Sequence, residues 1–135
     1  MLPKVLIVDD DPNMLRLAVL TFRAYLPEVA VLTANDGLQG MMKLFDAVPQ
    51  VLVCDVNMPG PNGVELCQVV RMDHRLRGRV KTLVITGRHT PEIRAKVLRE
   101  GASDYLSKPF GPKDLLNAVA ALLPPDALAN PPSRE

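Results

Sequence analysis

The sequence predicts a doubly wound α/β domain, a five-stranded parallel sheet with five helices packed on its two faces. Three observations carry that prediction. Short apolar runs alternate with amphipathic stretches along the chain, in the rhythm of β-α units. The runs are apolar throughout, without the in-out alternation of a half-solvated sheet, so both of their faces are expected to be covered. Proline and capping residues stand where the helical patterns begin.

The first run, Val5–Val8, stands in "VLIVDDDP" and leads into three aspartates. Asp11 before Pro12 supplies a cap and a first-turn proline for a helix over Pro12–Tyr25. A second run, Val29–Leu32, precedes a helical pattern at Leu38–Ala47, in which Met41 and Met42 are read as packing residues. Val51–Cys54 is the third run. Asn62 with Glu65 three positions on forms a capping-box variant ahead of a helix at Val64–Met72. Thr82–Ile85 is followed by Thr90–Pro91, which repeats the cap-and-proline device, and by a helix over Pro91–Glu100. The short run Asp104–Leu106 and the weaker cap Gly111–Pro112 introduce the last helix, Pro112–Leu123. The final stretch, "PPDALANPPSRE", holds four of the thirteen prolines and is expected to be an extended tail or linker. The boundaries are thus a domain over residues 1–123 and a Pro-rich tail over 124–135.

Composition narrows the function classes. At 135 residues the chain is one domain in size, and 47% hydrophobic content suits a globular protein rather than a disordered one. A formal net charge of +1 offers no bulk field for nucleic acid or an anionic membrane. Cys54 and Cys67 lack CxxC spacing and read as small buried hydrophobes. No apolar run is long enough to cross a bilayer, and "VLIV" meets aspartates where a signal peptide would continue, so a cytoplasmic location is expected. The basic run "RMDHRLRGRVK", residues 71–81, falls at the end of the third helix, where cations suit the helix dipole. It has no interleaved aromatics for base stacking and reads as a solvated face or partner contact, without direct nucleic-acid contact. His74 and His89 lack metal-ligand spacing.

In open α/β sheets ligands bind at the carboxyl ends of the strands. Those ends carry Asp9 and Asp10, then Asp55 in "VLVCDVNMPG", Thr86–Gly87 in "LVITG", and Lys108–Pro109 in "YLSKPF". Asp11 is already assigned as a cap. Three carboxylates brought close together need a cation to stay ionised, and Mg²⁺ favours a few carboxylates with water and a phosphate oxygen. A lysine opposite them neutralises charge and grips a phosphoryl group, a threonine hydroxyl donates a hydrogen bond, and glycine leaves room for backbone approach. One carboxylate can then act as nucleophile and form an acyl phosphate.

The ordered set "VDDDP", "VLVCDVNMPGPNG", "VITG" and "GASDYLSKPF" resembles the receiver domain of two-component response regulators over roughly residues 3–123. The resemblance implies the flavodoxin-like strand order 2-1-3-4-5 and a signalling module rather than an enzyme with an external substrate. It implies that Asp55 is the phosphoacceptor, that Asp10, Asp55 and the carbonyl of Asn57 bind Mg²⁺, and that Asp9 holds the metal's water and positions Asp10. Thr86 and Lys108 match the phosphate-contacting pair, with Gly87 beside them where alanine is common. Tyr105 matches the aromatic switch residue, and Pro109 the proline whose preceding bond is cis, aiming Lys108. Pro59 and Gly63 fit the loop after the acceptor. Asn62 stands where the family often has Asp, and Asn57 and Arg88 occupy positions that tune phosphoryl lifetime. Implied partners are a sensor histidine kinase or phosphotransfer protein and a downstream output domain or effector; the surface of the fourth helix could support a homodimer, though nothing in it compels one.

Other readings fit less well. A haloacid-dehalogenase-like phosphatase would place its nucleophile at Asp9 and has no need of Asp55 or "MPGPNG". A flavodoxin-like cofactor binder needs a hydroxyl-rich phosphate loop where this chain has carboxylates. A receiver-like domain that no longer takes phosphate would have no need of the complete side-chain set.

Overall fold

A computed structural model describes residues 2–88 and 90–125. Five parallel strands, β1 (Lys4–Val8), β2 (Ala30–Ala34), β3 (Val51–Asp55), β4 (Lys81–Thr86) and β5 (Asp104–Ser107), lie in the order β2-β1-β3-β4-β5. They alternate with α1 (Pro12–Tyr25), α2 (Gly37–Ala47), α3 (Gly63–Met72), α4 (Pro91–Arg99) and α5 (Pro112–Leu122). The doubly wound, flavodoxin-like class and its strand order are therefore as expected.

The alternation of side chains along each strand separates two cores. Val5, Ile7, Val51, Val53, Leu83 and Ile85 point to the face covered by α1 and α5, where Phe22, Leu116 and Val119 meet them. Leu6, Val8, Leu52, Cys54 and Val84 point to the other face, against Leu44 of α2, Leu66 of α3 and Val97 of α4. Covering both faces explains why β1 and β3 are continuous apolar runs. A fully buried leucine such as Leu44 contributes roughly 1.5–3 kcal/mol.

The edge strand β2 departs most from the sequence reading. β2 begins one residue later and runs two residues further than Val29–Leu32, because Thr33 and Ala34 continue the register opposite Ile7 and Val8. β5 is short and only half-buried.

The helix starts are chemically explicit. Asp11 accepts the Asn13 N–H at 2.9 Å, and Thr90 accepts that of Ile93 at 3.2 Å. Asn62 accepts from Val64 and Glu65, while the Glu65 carboxylate takes the Asn62 N–H. At Gly111 the cap comes from within the helix, since the Asp114 carboxylate accepts the Gly111 N–H at 2.8 Å. Asp36 caps α2 by accepting from Gln39 at 2.8 Å, a signal the sequence reading missed.

Met42 is 66% exposed and does not pack as expected. The helical repeat turns Gly37, Gly40 and Leu44 inward and carries Met42 to the outer side, whereas Met41 packs at the edge of the core. Gly63, assigned to a loop from sequence, is the first residue of α3. The proposed tail lies largely outside the described residues, as does His89.

Candidate functional site

The parallel topology gathers the carboxyl ends of β1, β3, β4 and β5 at one end of the sheet. The Asp9 N–H donates to the Ala34 carbonyl at 3.1 Å, so the end of β2 fixes the first acid. The Lys108 N–H donates to the Thr86 carbonyl at 2.8 Å, which fixes the start of the lysine's segment against β4. The Lys108–Pro109 peptide bond is cis.

Asp9, Asp10 and Asp55 each offer a carboxylate oxygen within 4.8 Å of the others. Asp9 and Asp55 are 1% and 4% exposed, while Asp10 is open to solvent. Lys108 Nζ lies 2.7 Å from Asp55 Oδ2 and 3.3 Å from Asp9 Oδ2. The other oxygen of Asp55 and of Asp9 is held by backbone: Asp55 Oδ1 accepts from the Asn57 N–H at 2.8 Å, and Asp9 Oδ1 from the Asp11 N–H at 2.9 Å. Gly63 makes the approach of α3 possible, since a Cβ there would stand 2.8 Å from the Asp55 carbonyl oxygen.

Burial raises the Asp9 carboxyl above its ordinary value, opposed by the Asp11 amide and Lys108 and reinforced by the neighbouring Asp55 charge. Burial alone would lower Lys108, but its hydrogen bond to Asp55 and the charges of Asp9 and Asp55 outweigh that and raise it. The lysine is therefore cationic. One cation faces three carboxylates, all of them hard oxygen donors, and this set fits a divalent ion such as Mg²⁺.

Thr86 is fully buried at the end of β4. Its hydroxyl accepts the Arg88 N–H at 3.0 Å and lies 3.2 Å from the Arg88 carbonyl, so it is engaged by its own loop. Gly87 is exposed, and nothing lies within 4 Å of where a Cβ would be. It lines an apolar groove of about 480 Å³ with Met14, Leu17, Lys108, Pro109 and Phe110. Tyr105 is half-buried on β5 against the α2–α3–α4 core; burial raises its hydroxyl and the nearby Arg94 charge opposes the rise. The structure thus brings Asp9, Asp10, Asp55, Asn57 and Lys108 together and leaves Thr86 beside them, turned to its loop. Sequence reasoning did not single out Met14, Leu17 and Phe110, because on a helix and a loop they look like ordinary core residues.

The family model of the response regulator receiver domain matches residues 5–120. The DNA-binding response regulator MtrA of Mycolicibacterium smegmatis is 32% identical over 120 residues, 89% of this chain and 50% of MtrA. Hybrid signal transduction histidine kinase D of Dictyostelium discoideum is 34% identical over 122 residues, 90% of this chain but 8% of that protein. The chain therefore spans about half of one relative and a small part of the other. The structure of the chemotaxis response regulator CheY4 of Vibrio cholerae superposes with a TM-score of 0.82 at 32% identity, covering 91% of this chain and all of that one. No helix among the described residues is long and apolar enough to cross a membrane.

Proposed function

Since this chain belongs to the response regulator receiver domain family, we propose that it is a phosphoacceptor module that takes a phosphoryl group on Asp55. The observation that carries this reading is the environment of the Asp55 carboxylate. It is buried, one oxygen is pinned by the Asn57 N–H, and the other is bound, among the described residues, only by the long side chain of Lys108. An oxygen held by a flexible ammonium can be released, while the pinned one keeps the group aimed.

Asp9, Asp10, Asp55 and the Asn57 carbonyl would hold Mg²⁺, which when bound neutralises charge on the phosphoryl oxygens. Lys108 moves from Asp55 to the incoming phosphoryl group and remains a point charge beside it. The freed Asp55 oxygen attacks phosphorus. The phosphorus–nitrogen bond of a donor phosphohistidine breaks, and its electron pair stays with the imidazole. The apolar groove around Leu17 and Phe110, bordered by Lys108, suits a donor helix bringing that histidine to the site. The donor would be a sensor histidine kinase or phosphotransfer protein.

The output step follows from Thr86. Its hydroxyl exchanges the Arg88 backbone for a phosphoryl oxygen, the β4–α4 loop shifts, and Tyr105 turns inward as the α4–β5–α5 surface is remade. That surface then controls an output domain or effector in the cytoplasm. The domain catalyses only its own phosphorylation and dephosphorylation.

Intact-mass measurement after incubation with acetyl phosphate and Mg²⁺ tests this. One phosphoryl adduct is expected, absent when EDTA is present during labelling and absent in Asp55→Asn. A normal adduct in Asp55→Asn would overturn the assignment. Turnover of a phosphate ester that survives Asp55→Asn but is lost in Asp9→Asn would favour the phosphatase reading instead.

A further inference from the structure

We propose that the first turn of α2 is a backstop for the loop that follows Asp55, with Gly37 as a positioning residue for the metal-side geometry; this rests on the phosphoacceptor reading above. Gly37 opens α2 hard against that loop. A Cβ at this position would stand 1.7 Å from the Pro61 carbonyl oxygen and 2.6 Å from its carbon, so only hydrogen fits. Reaching an ordinary contact would require the two backbones to part by more than about 1 Å.

Neither side of this contact absorbs the overlap freely. α2 is anchored to its neighbours: Gln39 Oε1 accepts from Asn35 N–H at 3.5 Å, Lys43 Nζ donates to the Thr33 carbonyl, and Gly40 abuts both Val8 methyls, where a Cβ would lie 2.8 Å away. The loop is stiff as well. Pro59 and Pro61 have fixed φ angles, and Asn62 beyond them is committed to capping α3. A push at Pro61 therefore runs back along the loop towards Asn57, whose N–H pins Asp55 Oδ1 and whose carbonyl is the expected metal ligand. Mg²⁺ demands near-ideal octahedral geometry, so a displacement of this size is felt in its binding. α2 thus supports the site without contributing an atom to it.

The test compares the intact chain with Gly37→Ala and with Leu38→Ala, a control in the same turn whose side chain is 62% exposed. Gly37→Ala is expected to shift the Asn57 amide resonance in metal-free protein and to weaken Mg²⁺ binding by calorimetry about tenfold. Leu38→Ala should change neither. If Gly37→Ala fails to fold, Asp36→Ala loosens the same turn by removing its cap, with an expected loss of about threefold in Mg²⁺ affinity. An unmoved Asn57 resonance with wild-type affinity in Gly37→Ala overturns the inference, as does a loss of thermal stability alone or an unaltered Asp36→Ala. A wild-type chain that takes up no Mg²⁺ overturns the underlying reading instead, whereas the metal-free Asn57 shift still judges the backstop.

Discussion

At the carboxyl end of the sheet, Asp9 and Asp55 are almost wholly buried and share Lys108, whereas at the amino end Arg75, Arg77, Arg79 and Lys81 stand in solvent. Within the basic run Arg75 donates to the Phe45 carbonyl at 2.9 Å, and Arg71 pairs with the Glu100 carboxylate at 3.4 Å. By count of charges the two ends are comparable. By burial they are opposites, and burial decides where charge has chemical consequence. A solvated arginine interacts weakly with its neighbours, whereas a desolvated carboxylate must have a partner.

The sharpest way to break this contrast is Lys108→Ala. It removes the ammonium that Asp9 and Asp55 share, and phosphorylation of Asp55 by acetyl phosphate should slow about 100-fold. A rate within a factor of two of wild type would show that the lysine neutralises nothing that matters.

Acidification attacks the same end through Asp9. Its raised value means that the folded chain holds this proton more tightly than the unfolded chain does. In metal-free protein, ionised Asp9 therefore costs stability as pH rises past the ordinary 3.8 towards the raised value, and acidification returns that stability. Mg²⁺ and the proton compete for the same carboxylate, so metal affinity should fall about tenfold per pH unit below the raised value, beginning above 3.8. Calorimetric titration at several pH values would show this, and a flat profile down to 3.8 would contradict it.

Thr86→Ala should have a smaller and more selective effect. The adduct should still form, while the phosphorylation-dependent change in partner affinity shrinks about fivefold. An untouched affinity change would remove Thr86 from the switch. At the amino end, Arg77→Gln with Arg79→Gln should alter unfolding free energy by no more than about 0.5 kcal/mol and leave Mg²⁺ binding unchanged. A larger effect would mean that the basic run is part of the working structure.

Legibility in the sequence followed burial. The β1 and β3 runs were readable because both faces of a central strand must be apolar, and the caps at Asp11, Asn62 and Thr90 because they use local hydrogen bonds. β2 was misplaced by one to two residues because an edge strand is only half-covered and its apolar pattern is weak. Asp9, Asp10, Asp55, Thr86 and Lys108 could be grouped because every strand of a parallel sheet ends on the same side. The close fit of Gly37 to Pro61 left no comparable trace, since a glycine near a helix start has many ordinary reasons to be there.

By itself the sequence determined which segments must be buried, where helices begin, and which acids and cations arrive at the strand ends, because these depend on periodicity and short-range hydrogen bonding. Only the tertiary structure decided that Lys108 reaches both Asp9 and Asp55, that Thr86 bonds its own loop, and that α2 leans on the loop after Asp55. Those are contacts between distant segments or choices of rotamer, set by how the packed layers meet to within an ångström.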